Sequence, residues 1–350
     1  MFKDNRIIIQ HETVELSLDL NGGAIIDFHL KSSGINPLSF CYPQDQMPEN
    51  NKNGAPYQGH FLCLGRWGEP SIGERNAGLP DHGQFANMQW EVIASSKNEF
   101  IGMQASSLLE GLKINREIYL DQENPLYLVK ENVVNLNPLG RLFSMVQHPS
   151  LATPFLDNKI LVNSNAVVGF DQFYYKDIKS NIIQWVNQSD SSDNSNNIYG
   201  SYDREDIVRS YIVNNESAYG WITAYSPSTN TLIGYLWPRK DYPWIHIWEH
   251  VKEGNLIYMG LEFGDTAIHQ PFHEIINTST TLFGEKTFGH IDAGETIEKK
   301  FISFIIEPEK EFNEITNIVL KNGQINLLTK GDTPAILINI NPSLLHELSS

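Results

Sequence analysis

Two histidines of this 350-residue chain stand in turn-like settings rather than in apolar runs. His82 lies in Leu79-Pro80-Asp81-His82-Gly83-Gln84-Phe85, and His148 in Val146-Gln147-His148-Pro149-Ser150. A carboxylate, Glu262, interrupts the apolar run Ile257-Tyr258-Met259-Gly260-Leu261-Glu262-Phe263. Imidazoles and a carboxylate on separate strand ends are the side chains that move protons near neutral pH. Burial beside Leu261 and Phe263 is expected to raise the Glu262 pKa, which tunes a carboxylate towards general acid or base work. Pro149 holds His148 extended and is expected to end the strand there.

Other clusters are closer in sequence but weaker in chemistry. His246-Ile247-Trp248-Glu249-His250 matches a zinc-peptidase spacing that requires a helix. Pro243 before it, Gly254 after it and the run of Trp and Ile favour a strand, on which His246 and Glu249 point to opposite faces. Trp244, His246, Trp248 and His250 then share a face suited to an aromatic groove. In His269-x-x-x-His273-Glu274, Pro271 argues against a helix carrying both imidazoles. Neither cluster is read as a metal site. Gly-rich phosphate loops, a Gly-x-Ser-x-Gly elbow and a Cys–His nucleophile pattern do not occur.

The elements that position these residues repeat with a period of two. Val14-Glu15-Leu16-Ser17-Leu18-Asp19-Leu20 alternates, breaks at Asn21-Gly22-Gly23, and resumes at Ala24-Ile25-Ile26-Asp27-Phe28-His29-Leu30, which reads as a hairpin. Further strands are expected over 90–95, 100–106, 112–120, 127–135, 140–147, 159–162, 211–213, 220–226, 231–236, 244–250, 256–262 and 299–307. Residues 37–59 and 187–197 read as long surface loops, a class often functional in compact domains. A single helix is expected over 309–321, with Phe312, Ile315, Ile318 and Val319 on one face and Asn322-Gly323 as its stop. The expectation is one all-β domain over 1–350, a large two-sheet antiparallel sandwich with a short helix and a C-terminal tail.

Composition narrows the partners. The 42 acidic residues outnumber 25 basic ones, a net charge of −17 that disfavours nucleic acid and anionic membranes. Cys41 and Cys63 fit no zinc spacing and read as free thiols of a reducing compartment. With no apolar leader in residues 1–10 and no window long enough for a membrane span, the expected location is cytoplasmic.

In chain order these elements resemble the aldose 1-epimerase (galactose mutarotase-like) family. The resemblance rests on the Asn-Gly-Gly-Ala turn, the Phe61-Leu62-Cys63-Leu64-Gly65-Arg66-Trp67-Gly68 stretch, the Asp81-His82-Gly83 turn leading to Trp90-Glu91-Val92, Gln147-His148-Pro149, and Gly260-Leu261-Glu262. It implies a β-sandwich with a monosaccharide cleft across one sheet and cofactor-independent interconversion of aldose anomers. It also implies Glu262 as base, His148 as acid and His82 as a helper at the ring oxygen. Arg66 would bind sugar hydroxyls, Asp203 (or its rival Asp206) would fill the family's Asp position, and Trp67 and Trp244 would stack on the sugar. The stretch Gln84-Phe85-Ala86-Asn87-Met88-Gln89 lacks the basic residues of the hexose-6-phosphate branch, so a neutral sugar is expected. The wording around Arg66-Trp67 also departs from that usual for galactose. A non-catalytic sugar-binding or sugar-sensing protein on the same sandwich is the alternative. A polysaccharide lyase or hydrolase fragment ranks third, because a lyase cleft for uronates is normally basic.

Overall fold

The computed structural model describes residues 5–187, 204–309, 314–330 and 335–350. Two large antiparallel sheets carry the chain. The ten-stranded sheet runs, edge to edge, Arg6–Gln10, Val14–Asp19, Ala24–Leu30, His60–Leu64, Met145–Leu151, Asn255–Gly264, Trp244–Lys252, Asp206–Val213, Ala166–Asp171 and Ile182–Gln184. The eight-stranded sheet runs Leu161–Ser164, Tyr219–Ser226, Thr231–Pro238, Thr296–Ile306, Leu126–Asn135, Leu112–Leu120, Phe100–Ser107 and Glu91–Ser96.

The alternation read from the sequence becomes sidedness. Leu16, Phe28, Leu62, Met145, Ile245, Ile247, Leu261 and Phe263 from the first sheet share one buried core with Tyr127, Val129, Ile233, Tyr235 and Phe301 from the second. Their neighbours one position along each strand necessarily point to the opposite face of the ten-stranded sheet. Those neighbours include Phe61, Cys63, Val146, His246, Trp248 and Glu262, and His148, two along from Val146, shares their face.

Two charged pairs are buried between the sheets. Arg116 Nε donates to Glu131 Oε1 at 2.7 Å, and Glu131 Oε2 accepts from Gln147 Nε2 at 2.6 Å. Lys299 Nζ donates to Asp265 Oδ2 at 2.7 Å, whose other oxygen accepts from the Met145 amide at 2.8 Å. This second pair ties the His148 strand to the turn just beyond the Glu262 strand. Breaking either pair would leave a buried charge uncompensated, at a cost of about 3–5 kcal/mol.

The C-terminal region corrects one expectation. Residues 315–321 are a strand, Ile315–Lys321, not the end of a helix over 309–321; residues 310–313 lie outside the described residues. Asn322 and Gly323, with φ of 54° and 73°, form the turn of a hairpin to Gln324–Thr329. Asn-Gly favours both a helix stop and a hairpin turn, and β-branched Ile315, Ile318 and Val319 favour the strand. A third strand, Ile336–Asn339, and the helix Pro342–Ser349 complete a unit of the chain's end. Ile315, Ile325, Leu327, Ile338 and Leu344 cluster with Leu126, Trp221, Leu232, Leu236 and Ile302, so this unit packs on strands of the eight-stranded sheet.

Candidate active site

A cleft of about 310 Å³ opens on the face of the ten-stranded sheet turned away from the second sheet. Volumes near this size suit a small organic ligand. Glu262, His148, His82, Trp67, Trp248 and Asp206 line it, joined by His269. The 37–59 loop supplies another wall through Phe40, Tyr42, Gln46, Pro48 and Tyr57.

Strand register brings the polar groups together. His148 lies opposite Phe61 on one neighbouring strand, while Glu262 lies opposite His246 on the other side of its own strand. The Glu262 strand pairs with the His148 strand at Gln147↔Phe263 and Ser150↔Gly260, leaving a gap at His148 and Pro149. The strand thus continues through Pro149 to Leu151 rather than ending at His148. Proline is tolerated because its missing N–H falls in that gap, and the ladder resumes with Ser150.

At the cleft floor His148 Nε2 lies 3.2 Å from Glu262 Oε1. Both side chains are nearly fully buried, His148 at 5% and Glu262 at 1% exposure. Burial pushes the Glu262 carboxyl up to about 8, opposed by the Trp67 indole N–H, which donates to Glu262 Oε2 at 2.8 Å. Burial holds the His148 pKa well below the usual imidazole range. At neutral pH the carboxyl therefore holds the proton and the imidazole is neutral.

The hydrogen-bond network assigns the tautomer to match. The Ser150 hydroxyl donates to the His148 carbonyl at 3.2 Å, so Ser150 Oγ accepts from His148 Nδ1 at 2.9 Å. The bare Nε2 then faces Glu262, and the two groups share one proton. Phe61 stacks on the His148 ring at 4.2 Å and 21°, fixing its plane.

His82 sits on a left-handed turn, with φ of 60° followed by 79° at Gly83. His tolerates this conformation better than most side chains, and Gly is at ease there. A Cβ on Gly83 would lie 2.4 Å from the Leu64 carbonyl and 2.9 Å from Glu110 Oε1. The buried Glu110 accepts from the Gln84 amide at 3.1 Å and so pins the turn. The Gly68 amide points at His82 Nδ1 from 3.4 Å, with Cys63 Sγ 3.2 Å from the same atom. Nδ1 is thereby the acceptor, leaving Nε2–H as a donor. Burial, with His148 and His269 nearby, keeps this ring neutral as well.

The remaining residues singled out from the sequence divide. Trp67 lines the cleft and lies against the buried His246 ring at 4.1 Å. Asp206 lines the rim and accepts from Trp248 Nε1 at 3.0 Å, orienting that indole. Asp203 lies outside the described residues, as does all of the 187–197 loop beyond Asn187. Trp244 does not line the cleft. It packs among Phe170, Ile178, Ile212 and Ile275, and its indole N–H goes to the Lys286 carbonyl at 2.8 Å. Its face parity matched that of Trp248, but local loops cover it, which period-two reasoning does not register.

Arg66 is also absent from the cleft lining. Its guanidinium pairs with Glu74, lies 4.4 Å over the Phe272 ring and reaches the Gln270 carbonyl at 3.5 Å. In the 246–250 cluster, Glu249 turns towards the sheet interior and pairs with Arg209, while His246 Nδ1 meets Ser210 Oγ at 2.7 Å on the other face. That arrangement follows from the strand and is not a zinc site. Among the described residues, the one cluster with metal-ligand spacing is Glu15, Asp27 and His29. It sits on the first hairpin, and none of its members lines the cleft.

In the sequence His269 shows only as half of a poor metal motif. The signal for it was its place seven residues after Glu262, in the loop leaving the same strand.

Comparison with known proteins places the fold. The chain has the galactose mutarotase-like fold. A galactose mutarotase-like protein of Clostridium acetobutylicum superposes with a TM-score of 0.59 at 14% identity, over 87% of this chain and 95% of that one. A galactose mutarotase related enzyme of Lactobacillus acidophilus gives 0.58 at 12% identity, over 87% and 99%. The aldose epimerase homologue of C. elegans gives 0.55 at 11% identity, over 86% and 98%. No protein-family model and no curated protein matches the sequence.

Proposed function

We propose that this protein is a cofactor-independent aldose 1-epimerase acting on a neutral aldose. The observation that carries the reading is the buried Glu262–His148 pair at the cleft floor, with Oε1 and Nε2 3.2 Å apart. Ring opening removes a proton from the anomeric hydroxyl and delivers one to the ring oxygen; closure on the opposite face of the carbonyl reverses both transfers. When the shared proton moves from Glu262 to His148 Nε2, the pair becomes a carboxylate base and an imidazolium acid without changing its total charge. His82 Nε2–H donates to the ring oxygen and stabilises the negative charge that develops there. Trp67 holds the carboxylate in place, and the aromatic walls at Phe40, Phe61 and Trp248 cover the apolar faces of the sugar. Asp206 is the aspartate proposed for the rim.

Among the described residues no Lys or Arg lines the cleft, which supports an uncharged substrate. Polarimetry of freshly dissolved α-D-glucose, α-D-galactose and α-D-xylose tests the reading. Catalysed relaxation of at least one sugar is expected, and uncatalysed rates for a broad panel would contradict it.

A further inference from the structure

His269 has the setting of a ligand contact. It follows Ile268 in the loop beyond the Glu262 strand and lines the cleft beside His82 and Trp67. Its ring meets Trp67 edge-on at 4.6 Å and lies 5.7 Å from the His82 ring. Among the described residues neither of its ring nitrogens has a hydrogen-bond partner, although its backbone N–H is held by Gln172 Oε1 at 3.0 Å. A half-buried imidazole with both nitrogens unused gains from any ligand oxygen it can reach. Burial lowers its pKa to about 4, so it meets that oxygen as a neutral donor and acceptor. The ring also borders a second cavity of about 610 Å³ with Tyr175, Gln270, His273 and Glu274, so it stands as the partition between the two spaces.

Arg66 holds this partition from behind. The guanidinium spans from Glu74 to the Gln270 carbonyl and covers Phe272, so it clamps both residues that follow His269 and Pro271 in the loop. Gly68 completes the interlock, because a Cβ there would lie 2.6 Å from His269 Nε2. A planar, always-charged fork is suited to such a clamp, and lysine cannot reproduce both the stacking and the reach.

We propose that His269 is a sugar-contacting residue of this cleft, and that Arg66 is its positioning residue rather than a sugar ligand. The proposal rests on the carbohydrate reading of the site. The experiment is a double-mutant cycle on sugar affinity, with D-glucose, D-galactose and D-xylose as probes. Quenching of cleft tryptophan fluorescence and calorimetry read the Kd, and thermal melting checks folding.

For the sugar that binds wild type best, His269→Ala is expected to weaken binding roughly 5- to 20-fold, the loss of one or two neutral hydrogen bonds. Arg66→Lys is expected to weaken it by a comparable factor, and the double variant to be no weaker than His269→Ala alone. Where the sugar is turned over, the change falls on KM more than on kcat. Unchanged affinity in His269→Ala would overturn the proposal, and independent, multiplying losses would return Arg66 to direct sugar contact. If Arg66→Lys does not fold, Phe272→Leu replaces it in the cycle, with the same coupling expected. Wild type that binds no sugar on the panel would remove the carbohydrate reading itself and this inference with it. Wild type that binds, with an indifferent His269→Ala, removes this inference alone.

Discussion

Replacing Trp67 by Phe removes one hydrogen bond from the acid–base pair and leaves both its members in place. The indole N–H donates to Glu262 Oε2 at 2.8 Å, and it is the interaction that holds down a carboxyl which burial otherwise raises. A hydrogen bond to a charged group contributes about 1.5–3 kcal/mol, so its loss raises the Glu262 pKa by roughly 1–2 units. The sign follows from which form is bound: the donor favours the carboxylate, so without it the proton is released at higher pH. In the proposed mechanism the one-proton pair is the active form. Wild-type activity is therefore expected to hold up to a pH of about 8 and fall above it. In Trp67→Phe that alkaline limb moves up by roughly 1–2 units. On the acid side, the limb lies below the ordinary imidazole range, because His148 resists protonation.

The assay is the pH dependence of mutarotation, with spontaneous rates subtracted at each pH. A carbon-13 carboxyl titration of Glu262 reads the same pKa without turnover. Trp67 is also buried against His246, so a stability loss of about 1–3 kcal/mol from the smaller ring is expected and is scored separately by melting. An alkaline limb that stays in place or moves down would refute the assigned role of the indole. Activity that rises through pH 8 in wild type would refute the one-proton pair.

Glu262 should also limit stability. Its folded pKa lies above its unfolded value, so the folded state loses stability as pH rises from about 4.5 to about 8. Glu262→Gln is expected to melt at higher temperature than wild type at pH 9, by an amount equivalent to a few kcal/mol, with a much smaller gain at pH 5; equal gains at both pH values would count against a buried protonated carboxyl. Gly68→Ala places a side chain at φ of 86° and 2.6 Å from His269 Nε2, so a loss of about 1–3 kcal/mol in stability is expected together with weaker sugar binding; a variant with wild-type melting and affinity would show that the loop yields freely. D-glucose 6-phosphate should bind at least roughly 10-fold more weakly than the preferred neutral sugar, because among the described residues no cationic side chain lines the cleft to pair with the phosphate; calorimetry showing the reverse order would point to a phosphosugar enzyme.

The fold was legible because its signal is local. Alternation in 112–120 appears directly as the alternating burial of the strand Leu112–Leu120, whereas in Val14–Asp19 the polar Ser17 and Asp19 are buried as well. Most edges drifted by a residue or two, but the strand expected over 211–213 starts at Asp206 and the one expected over 299–307 starts at Thr296, and 140–147 resolved into Arg141–Phe143 and a second strand running on to Leu151. Residues 315–321 suit a helix in the sequence alone because Ile315, Ile318 and Val319 satisfy helical spacing as well as a short strand does. Only pairing across Asn322-Gly323 decides between them, and pairing is not a local property.

The site was legible in its polar members for a similar reason. His82, His148 and Glu262 stand where turns, Pro or an apolar run make a polar residue anomalous, and all three line one cleft. Arg66 and Trp244 were placed by face and family position, neither of which reveals what later loops lay over them. Phe272 and Gln270 take up Arg66 from some 200 residues away in sequence, and Phe283 with Ile275 covers Trp244. His269 was missed because a loop residue with no periodic context shows its importance only when the loop folds back.

The most direct test is anomer exchange measured by proton NMR magnetisation transfer on neutral aldoses at equilibrium, comparing wild type with Glu262→Gln and His148→Ala. The expected result is enzyme-dependent exchange between α and β signals of at least one sugar, reduced roughly 10²–10⁴-fold in each variant while folding is retained. Exchange that persists at the wild-type rate in either variant would contradict the claim that the Glu262–His148 pair carries the reaction.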